Sequence, residues 1–213
     1  MKAKEQTRKS NKRNVWLEYL IVIATAFALV FGFMKPFVVD AFNIPSESME
    51  DTLLVGDRIL VAKFIYGIRI PSIDICILDF NKPKVGDVFV FKPPPEARRK
   101  SNFIKRIVGV SGDIIEIRKG ELYRNGVHVE GEVYAKRIDN SPLHLMDFGP
   151  IKVPSEHVFA MGDNRDNSND SRFWGFVPCE NIRGQAFLRY WSWDKKADLL
   201  HKIRFSRIGR IIR

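Results

Sequence analysis

The 213-residue sequence predicts a mainly β fold, an antiparallel coiled-sheet or barrel-like domain preceded by one N-terminal transmembrane helix. A single long apolar run lies near the N-terminus, and no long amphipathic helical pattern follows Phe42. Beyond that residue, short β-branched and aromatic segments alternate with Gly-Asp and Asn-Gly turns. Many short strands joined by such turns are typical of antiparallel barrels, whose loops carry the chemistry.

The apolar run is predicted to be a membrane anchor over residues 15–39. Every residue from Tyr19 to Met34 is apolar, small or threonine, and an apolar triplet extends the run beyond Lys35-Pro36. The run approaches the roughly 20 residues that cross a bilayer at about 1.5 Å each. A buried helix of a soluble domain would show a polar stripe, which is missing here. A cleaved secretory signal is the alternative, but the run is long and Lys35-Pro36 stands where small residues would be needed.

The net charge of +10 is concentrated at the two ends of the chain. Six basic residues and one acidic residue precede the anchor, so the positive-inside rule predicts a cytoplasmic tail over residues 1–14 and an extracytoplasmic domain over 40–213. Residues 201–213 hold five basic residues alternating with isoleucine and phenylalanine. This basic amphipathic composition suits an anionic lipid surface, and a disordered tail is the alternative. Because the body between the ends is neutral, the charge does not indicate a nucleic-acid partner.

Five segments of the body are predicted to be strands, because they are rich in valine, isoleucine and phenylalanine. They cover residues 58–64, 87–91, 103–110, 113–118 and 158–161. Gly-Asp or Asn-Gly dipeptides separate them, and no internal repeat is evident. The segment after the anchor is therefore predicted to be one globular unit, large enough for a real core.

Cysteine and histidine give little indication of chemistry. Cys76 lies among isoleucines like a small buried hydrophobe, and Cys179 lies far from it in sequence. Two distant cysteines define no disulfide framework, so we expect thiols and leave their pairing open. The four histidines have no metal-ligand spacing, so neither a metal site nor a cofactor is predicted.

A densely polar segment runs from Met161 to Arg172, where aspartate, asparagine, serine and arginine follow one another. Short polar side chains of this kind bond readily to the backbone, so the segment is predicted to be a self-satisfied loop. Such a loop can frame a functional site. A solvated turn between strands is the alternative.

Two serines close to the predicted membrane surface form a second candidate site. Pro45 fixes its own φ and biases Ile44 toward an extended conformation. Ser46 and Ser48 therefore leave a rigid extended segment directly after the anchor. A structural serine-rich turn is the alternative.

Lys105 is the third candidate, because it lies within an apolar predicted strand. The alternation of a strand places it on one face with Phe103 and Ile107. A lysine in that position either extends its amine to solvent or is buried. If it is buried, desolvation lowers its pKa, and the neutral amine can act as a general base.

Together these motifs resemble those of type I signal peptidases. The matching residues are Ile-Pro-Ser-Glu-Ser-Met at 44–49, Gly-Asp at 56–57, Ile-Lys-Arg-Ile-Val-Gly at 104–109 with Gly-Asp at 112–113, and Gly-Asp-Asn-Arg-Asp-Asn-Ser-Asn-Asp-Ser-Arg at 162–172. The resemblance covers Phe42 to about Gly184, and Phe205-Ser206-Arg207-Ile208-Gly209 is also similar to the C-terminal segment of that family. It implies a membrane-bound serine protease, without a cofactor, that cuts signal peptides from exported proteins.

The resemblance also implies roles for individual residues. Ser48 would be the nucleophile, Lys105 the general base, and Ser46 the oxyanion-hole side chain that acts with the Ser48 backbone N–H. Ser168 would hydrogen-bond to Lys105 and orient it. The residues expected to form the supporting polar network are Asp163, Asp170 and Arg172.

Specificity and partners follow from the same resemblance. The expected substrates are exported preproteins cut after a small-X-small site, bound as an added strand beside residues 43–45. The candidate walls of the shallow apolar pockets are Phe42, Ile44 and Ile104. The expected location is the cytoplasmic (inner) membrane, with one pass through the phospholipid bilayer, and the oligomeric state stays open.

Three departures from the family pattern and two alternatives remain. The sequence predicts one anchor, whereas some members of the family have two. Glu47 stands where some members have glycine, and residues 110–153 form a short inserted β region whose role stays open. A self-cleaving repressor-type Ser/Lys protease is opposed by the anchor and by the lack of a DNA-binding domain before Ser48. An inactive membrane-tethered binding protein is opposed by the presence of both Ser48 and Lys105.

Overall fold

The computed structural model describes residues 15–70, 75–78, 81–99, 101–130, 135–136, 147–198 and 201–213. The predicted cytoplasmic tail, residues 1–14, lies outside this set. The structure describes the backbone of Cys76 but not its side chain, so its pairing with Cys179 also lies outside the described residues.

The apolar N-terminal run forms one continuous helix, as predicted. Helix α1 (Val15–Phe27) continues as a π-helix over Ala28–Val38. Its stretch Val15–Gly32 has 18 residues and a mean hydropathy of 2.1, and none of it is buried in the fold. By length and composition this helix could cross a membrane.

The rest of the described chain is mainly β, as the sequence predicts. The strands are β1 (Val39–Asn43), β2 (Asp57–Ala62), β3 (Ile68–Ile70), β4 (Ile75–Leu78), β5 (Val88–Phe91), β6 (Phe103–Val110), β7 (Ile114–Arg118), β8 (Glu121–Arg124), β9 (Val127–His128), β10 (Phe148–Lys152), β11 (His157–Met161), β12 (Val177–Pro178), β13 (Ile182–Ser192) and β14 (Arg210–Ile211). Helix α2 is a single turn, Ser171–Trp174. Short 3₁₀ turns include Glu47–Met49 and Phe205–Arg207.

One curled antiparallel sheet forms the body of the domain, in the order β1-β2-β13-β5-β6-β11-β12, with β14 added to β13. Strand β5 shows that both faces of this sheet are covered. Val88 and Val90 belong to one buried cluster, whereas Phe89 and Phe91 belong to another on the opposite face. Continuous burial explains why β5 is an uninterrupted apolar sequence.

The small inserted β region forms a second sheet, in the order β10-β7-β8-β9. The predicted Asn-Gly turn is confirmed: Asn125 (φ 56°) and Gly126 (φ 80°) join β8 to β9. This sheet packs on the body through Ile115, whose side chain lies so close to Gly109 of β6 that a Cβ there would overlap it. The insertion is thereby fixed to the strand that carries Lys105.

Residues 201–213 fold onto the main sheet, so the alternative prediction of a disordered tail is wrong. Strand β14 pairs with β13, and Ile212 packs against the core cluster that contains Ile59. Two of the basic residues bind carboxylates inside the fold: Arg204 binds Asp194 (2.9 Å) and Arg207 binds Asp57 (2.8 Å). The lipid contact expected of this segment stays a prediction.

The buried carboxylate of Asp57 ties this C-terminal segment to the start of β2. Burial opposes its ionisation, but hydrogen bonds from Arg207, Ser192 and the Leu54 N–H outweigh that effect and hold the pKa of Asp57 below its ordinary 3.8. Arg189 of β13 approaches the same carboxylate at 3.4 Å. Removing one partner of such a buried group is strongly destabilising, so this cluster secures the sheet beneath the serine segment.

Candidate active site

Ser48 lies in the middle of a short turn that both neighbouring segments anchor in the core. Ser46 is extended (φ −136°, ψ 163°) and precedes the 3₁₀ turn Glu47–Met49. Ile44 before the turn and Met49 within it are buried, and the Ile44 N–H donates to the Asp57 carbonyl (2.9 Å). The position of Ser48 is thus fixed from both sides, and within the turn only Glu47 is exposed.

Lys105 lies on the face of β6 that the sequence predicts. Phe103 and Ile107 pack in the same hydrophobic cluster, and Phe89 of β5 lies directly opposite Lys105 in the strand register. The side chain of Lys105 is 4% exposed, and its Nζ lies 5.5 Å from the centroid of the Phe103 ring. Of the two possibilities left open for this lysine, burial is therefore correct.

The two candidate catalytic atoms are in direct contact. Lys105 Nζ donates to Ser48 Oγ (2.7 Å) and to the Ile104 carbonyl (3.1 Å). Burial lowers the pKa of Lys105 from 10.5 to about 8, although the negative charges of Asp170 and Asp163 partly oppose the shift. Near neutral pH a useful fraction of the amine is uncharged, and its lone pair can accept the Ser48 proton.

Ser46 lies on the open side of Ser48. Its hydroxyl is 3.4 Å from Ser48 Oγ, and the residue is exposed to solvent. An incoming carbonyl group can therefore reach the Ser46 hydroxyl beside Ser48 Oγ. This arrangement fits the expected oxyanion-hole role.

Ser168 lies close to Ser48 but does not form a hydrogen bond to Lys105. Its hydroxyl is buried and has no hydrogen-bond partner within the described part of the chain. It packs against Gly162, where a Cβ would overlap both Ser168 Oγ and the Ser48 carbonyl. The hydrogen bond expected between Ser168 and Lys105 is thus not formed in this structure, and the role of Ser168 in orienting the base stays a prediction.

The supporting residues expected in the polar loop form two buried ion pairs. Asp170 accepts from Arg172 Nε (2.8 Å) and Nη2 (2.9 Å), and also from the Gly162 N–H (3.1 Å). Asp163 pairs with Arg106, through Nε and Nη2, both at 2.8 Å. The pair of Asp170 with Arg172 lies within the loop, as its composition predicts, whereas Asp163 is held by Arg106 of β6. Both carboxylates lie near enough to Lys105 to act on its charge.

Arg106 is a site residue that the sequence pattern did not reveal. It is 1% exposed and lies on the opposite face of β6 from Lys105. Besides Asp163, it donates to the Gly86 carbonyl (2.7 Å) and the Arg213 carbonyl (3.0 Å). One feature of the sequence could have indicated it: Arg106 is a second cation, directly after Lys105, inside an apolar strand. A buried cation is rare unless it is paired.

The sequence also did not indicate that Asn164 and Lys136 belong to the site. The Asn164 N–H donates to the Ser48 carbonyl (3.1 Å), and its Nδ2 donates to the Glu47 carbonyl (3.2 Å). Lys136 Nζ binds the carboxylate of Glu50, two residues after Ser48 (3.0 Å). No local pattern in the sequence connects these positions.

The residues expected to line the substrate pockets belong to one hydrophobic cluster beneath the serine turn. Ile44 is 2% and Ile104 is 8% exposed, and the half-buried Phe42 packs against them. In this structure the two isoleucines form the floor of the site. Their contact with a substrate side chain stays a prediction.

Comparison with known proteins identifies relatives across most of the chain. Residues 16–191 match the family model described as "Signal peptidase, peptidase S26". Signal peptidase I of Pseudomonas fluorescens is 39% identical over 236 aligned residues, covering 95% of this chain and 82% of the relative. Signal peptidase I of Pseudomonas aeruginosa is 37% identical, with coverage of 95% and 82%. Probable signal peptidase I-2 of Synechocystis is 37% identical, with coverage of 86% and 77%.

Proposed function

The chain belongs to the signal peptidase family, peptidase S26, and from this premise we propose that Ser48 and Lys105 carry out its reaction. It is a signal peptidase, a serine endopeptidase whose substrates are preproteins with signal peptides. The observation that carries the assignment of the two residues is the 2.7 Å contact between Ser48 Oγ and the buried Lys105 Nζ. No other hydroxyl is hydrogen-bonded to a buried amine among the described residues.

The proposed reaction has two stages that use the same pair. In the first, neutral Lys105 takes the Ser48 proton while Oγ forms a bond to the scissile carbonyl carbon. The carbon–nitrogen bond then breaks, and the Lys105 ammonium gives the proton to the leaving amine. In the second stage Lys105 takes a proton from water, the resulting hydroxide attacks the ester, and the proton returns to Ser48 as the cleaved signal peptide leaves.

The negative charge that develops on the carbonyl oxygen is proposed to be stabilised by the Ser48 N–H and the Ser46 hydroxyl. The Ser46 hydroxyl belongs to an exposed residue and lies 3.4 Å from Ser48 Oγ, where a substrate carbonyl can enter. Fixed donors of this kind act without reorganisation at the moment of reaction, so they favour the tetrahedral intermediate over the planar substrate.

We further propose that the substrate binds as an extended strand beside β1 and is cut after a small-X-small sequence. Strand β1 pairs with β2 on one side and is the edge of the main sheet, so its other side can accept a strand by main-chain hydrogen bonds. The apolar floor formed by Ile44 and Ile104 suits small side chains. A self-cleaving repressor-type protease and an inactive binding protein are not favoured, because the family match extends over residues 16–191.

The activity is tested with purified protein in detergent and a preprotein that carries a small-X-small site. We expect one cut, directly after that site, and mass spectrometry of the mature product will locate it. Replacing the two small residues by leucine should prevent the cut. A preprotein that remains intact, or one cut equally well after the leucine replacement, would contradict the assignment.

The enzyme is membrane-anchored, and we propose that its catalytic domain faces away from the cytoplasm. The anchor is the helix that begins at Val15, and the basic residues before it favour a cytoplasmic N-terminus. In sealed, right-side-out vesicles, added protease should degrade the catalytic domain while a tag before residue 15 stays protected. Protection of the catalytic domain in these vesicles would reverse the proposed orientation.

A further inference from the structure

Lys136 brings the inserted region into contact with the loop that surrounds the nucleophile. Its N–H donates to the Asp163 carbonyl (2.7 Å), and its own carbonyl accepts from the Arg165 N–H (2.9 Å). These two main-chain bonds lie on either side of Asn164, with which Lys136 forms a parallel bridge. The backbone of Asn164 is therefore held by residue 136, which belongs to a separate part of the fold.

Asn164 in turn holds the peptide unit that contains the proposed oxyanion donor. Its Nδ2 donates to the Glu47 carbonyl (3.2 Å), which also accepts from the Glu50 N–H (2.9 Å). A peptide bond is planar and trans, so the Glu47 carbonyl and the Ser48 N–H point in opposite directions. Fixing the Glu47 oxygen thus fixes the direction in which the Ser48 N–H points.

Glu50 determines which end of the Asn164 amide faces the serine turn. One oxygen of its carboxylate, Oε2, accepts from both Asn164 Nδ2 (3.2 Å) and Lys136 Nζ (3.0 Å). If the amide were reversed, its oxygen would face the Glu50 carboxylate and the Glu47 carbonyl, and both are acceptors. Lys136 keeps this carboxylate in place, and its backbone holds Asn164 from the other side.

We propose that Lys136 and Glu50 are positioning residues that act through Asn164 to direct the Ser48 N–H toward the oxyanion. This inference rests on the proposed function of Ser48 and deepens it. It gives the inserted region a task in catalysis: its residue 136 holds the oxyanion donor. Glu50 lies in the segment of Ser48, and Lys136 lies in the insertion, 86 positions further along the sequence.

The test compares Lys136→Ala, Glu50→Ala and the double variant with Lys152→Ala, an exposed lysine of the same inserted region. The pair is about one-third exposed (Lys136 36%, Glu50 32%), so each single variant should lower kcat by roughly 3- to 5-fold with KM unchanged. The double variant should be no worse than Glu50→Ala alone, because Glu50→Ala already removes the contact with Lys136 together with the contact with Asn164. Lys136→Arg should restore most of the rate.

A second readout separates positioning from a general structural effect. A substrate-like peptide aldehyde forms a tetrahedral adduct with the serine, so its affinity should fall in proportion to kcat in the variants. The affinity of an uncleavable substrate peptide should not change, because it generates no oxyanion. High salt should lower the kcat of the wild type toward that of Lys136→Ala and should leave Lys136→Ala unaffected.

The outcomes distinguish this inference from the proposed function beneath it. If Lys136→Ala and Glu50→Ala keep the kcat of Lys152→Ala, or raise KM alone, the positioning role is wrong. Melting temperatures near that of the wild type will show that the variants are folded, and the salt response of the wild type tests the ion pair without any substitution. If the wild type does not cleave, or Ser48→Ala still cleaves, the proposed function itself fails.

Discussion

Replacing Ser48 by alanine will abolish cleavage of a signal-peptide substrate and leave the fold intact. The substitution removes only the hydroxyl group, whose oxygen is the atom proposed to form the acyl-enzyme. Loss of a serine nucleophile in a serine protease lowers kcat by on the order of 10⁴-fold or more. The core neighbours of the turn, Ile44 and Met49, keep their contacts, so the melting temperature should stay close to that of the wild type.

The measurement is kcat/KM on a signal-peptide substrate, with Ser206→Ala as the control. Ser206 is an exposed serine in the C-terminal 3₁₀ turn, and its replacement should leave the rate unchanged. A substrate with a good leaving group should also add an acyl mass to the peptide that contains Ser48 in the wild type. A Ser48→Ala protein that retains a tenth of the activity would show that the nucleophile lies elsewhere.

The structure confirms those predictions that depend on local sequence. Strand β6 spans residues 103–110, the predicted bounds, because it is a buried central strand with turn formers at its end. Its alternation correctly places Lys105 with Phe103 and Ile107. The Asn125-Gly126 turn was also predictable, since both residues adopt positive φ.

The longest strand, β13, was not predicted, and the reason is geometric. Its pairing with β2 and β5 contains register shifts between Ile182 and Gly184, between Ala186 and Leu188, and between Arg189 and Trp191. Each shift inserts an extra residue and interrupts the alternation of apolar and polar positions. As a result Arg189 is buried against Asp57, where an even alternation would not place a cation.

The contact between Ser48 and Lys105 was predictable from short motifs, whereas the residues that hold this pair were not. Ser48 and Lys105 each lie in a recognisable segment. The contacts of Arg106 with Asp163 and of Lys136 with Glu50 join segments that are distant in sequence and become neighbours only when the sheets pack. Ser168 illustrates the opposite case: the resemblance predicts a bond to Lys105 that the structure does not form.

Replacing Lys105 by methionine will remove the general base and reduce kcat/KM by on the order of 10⁴-fold, because Ser48 is a poor nucleophile while it retains its proton. Methionine keeps most of the volume beside Phe103, so the pocket stays filled. Lys92→Met is the control, since Lys92 is exposed at the end of β5. Equal loss of activity in Lys92→Met, or none in Lys105→Met, would contradict the assignment.

The pH dependence of the wild type identifies the same residue. Burial lowers the pKa of Lys105 to about 8, and the reactive form is the neutral amine. The value of kcat/KM should therefore rise about tenfold per pH unit below pH 8 and level off above it. A rate that is constant between pH 6 and pH 9 would exclude a base with this pKa.

The stability of Lys105→Met should change in the opposite direction from its activity. Because burial lowers the pKa of Lys105 from 10.5 to about 8, the folded state pays for a buried charge below pH 8, and wild-type stability rises as pH increases from 8 to 10.5. At pH 7 the buried charge lowers the free energy of unfolding by about 3 kcal/mol. The two hydrogen bonds of Lys105 raise it by about 1 kcal/mol each. The variant should thus be more stable by about 1 kcal/mol at pH 7, as measured by urea unfolding in detergent, and less stable above pH 10.5. An equal loss of stability at both pH values would mean that the amine is not desolvated, and the depressed pKa on which catalysis depends would lose its physical cause.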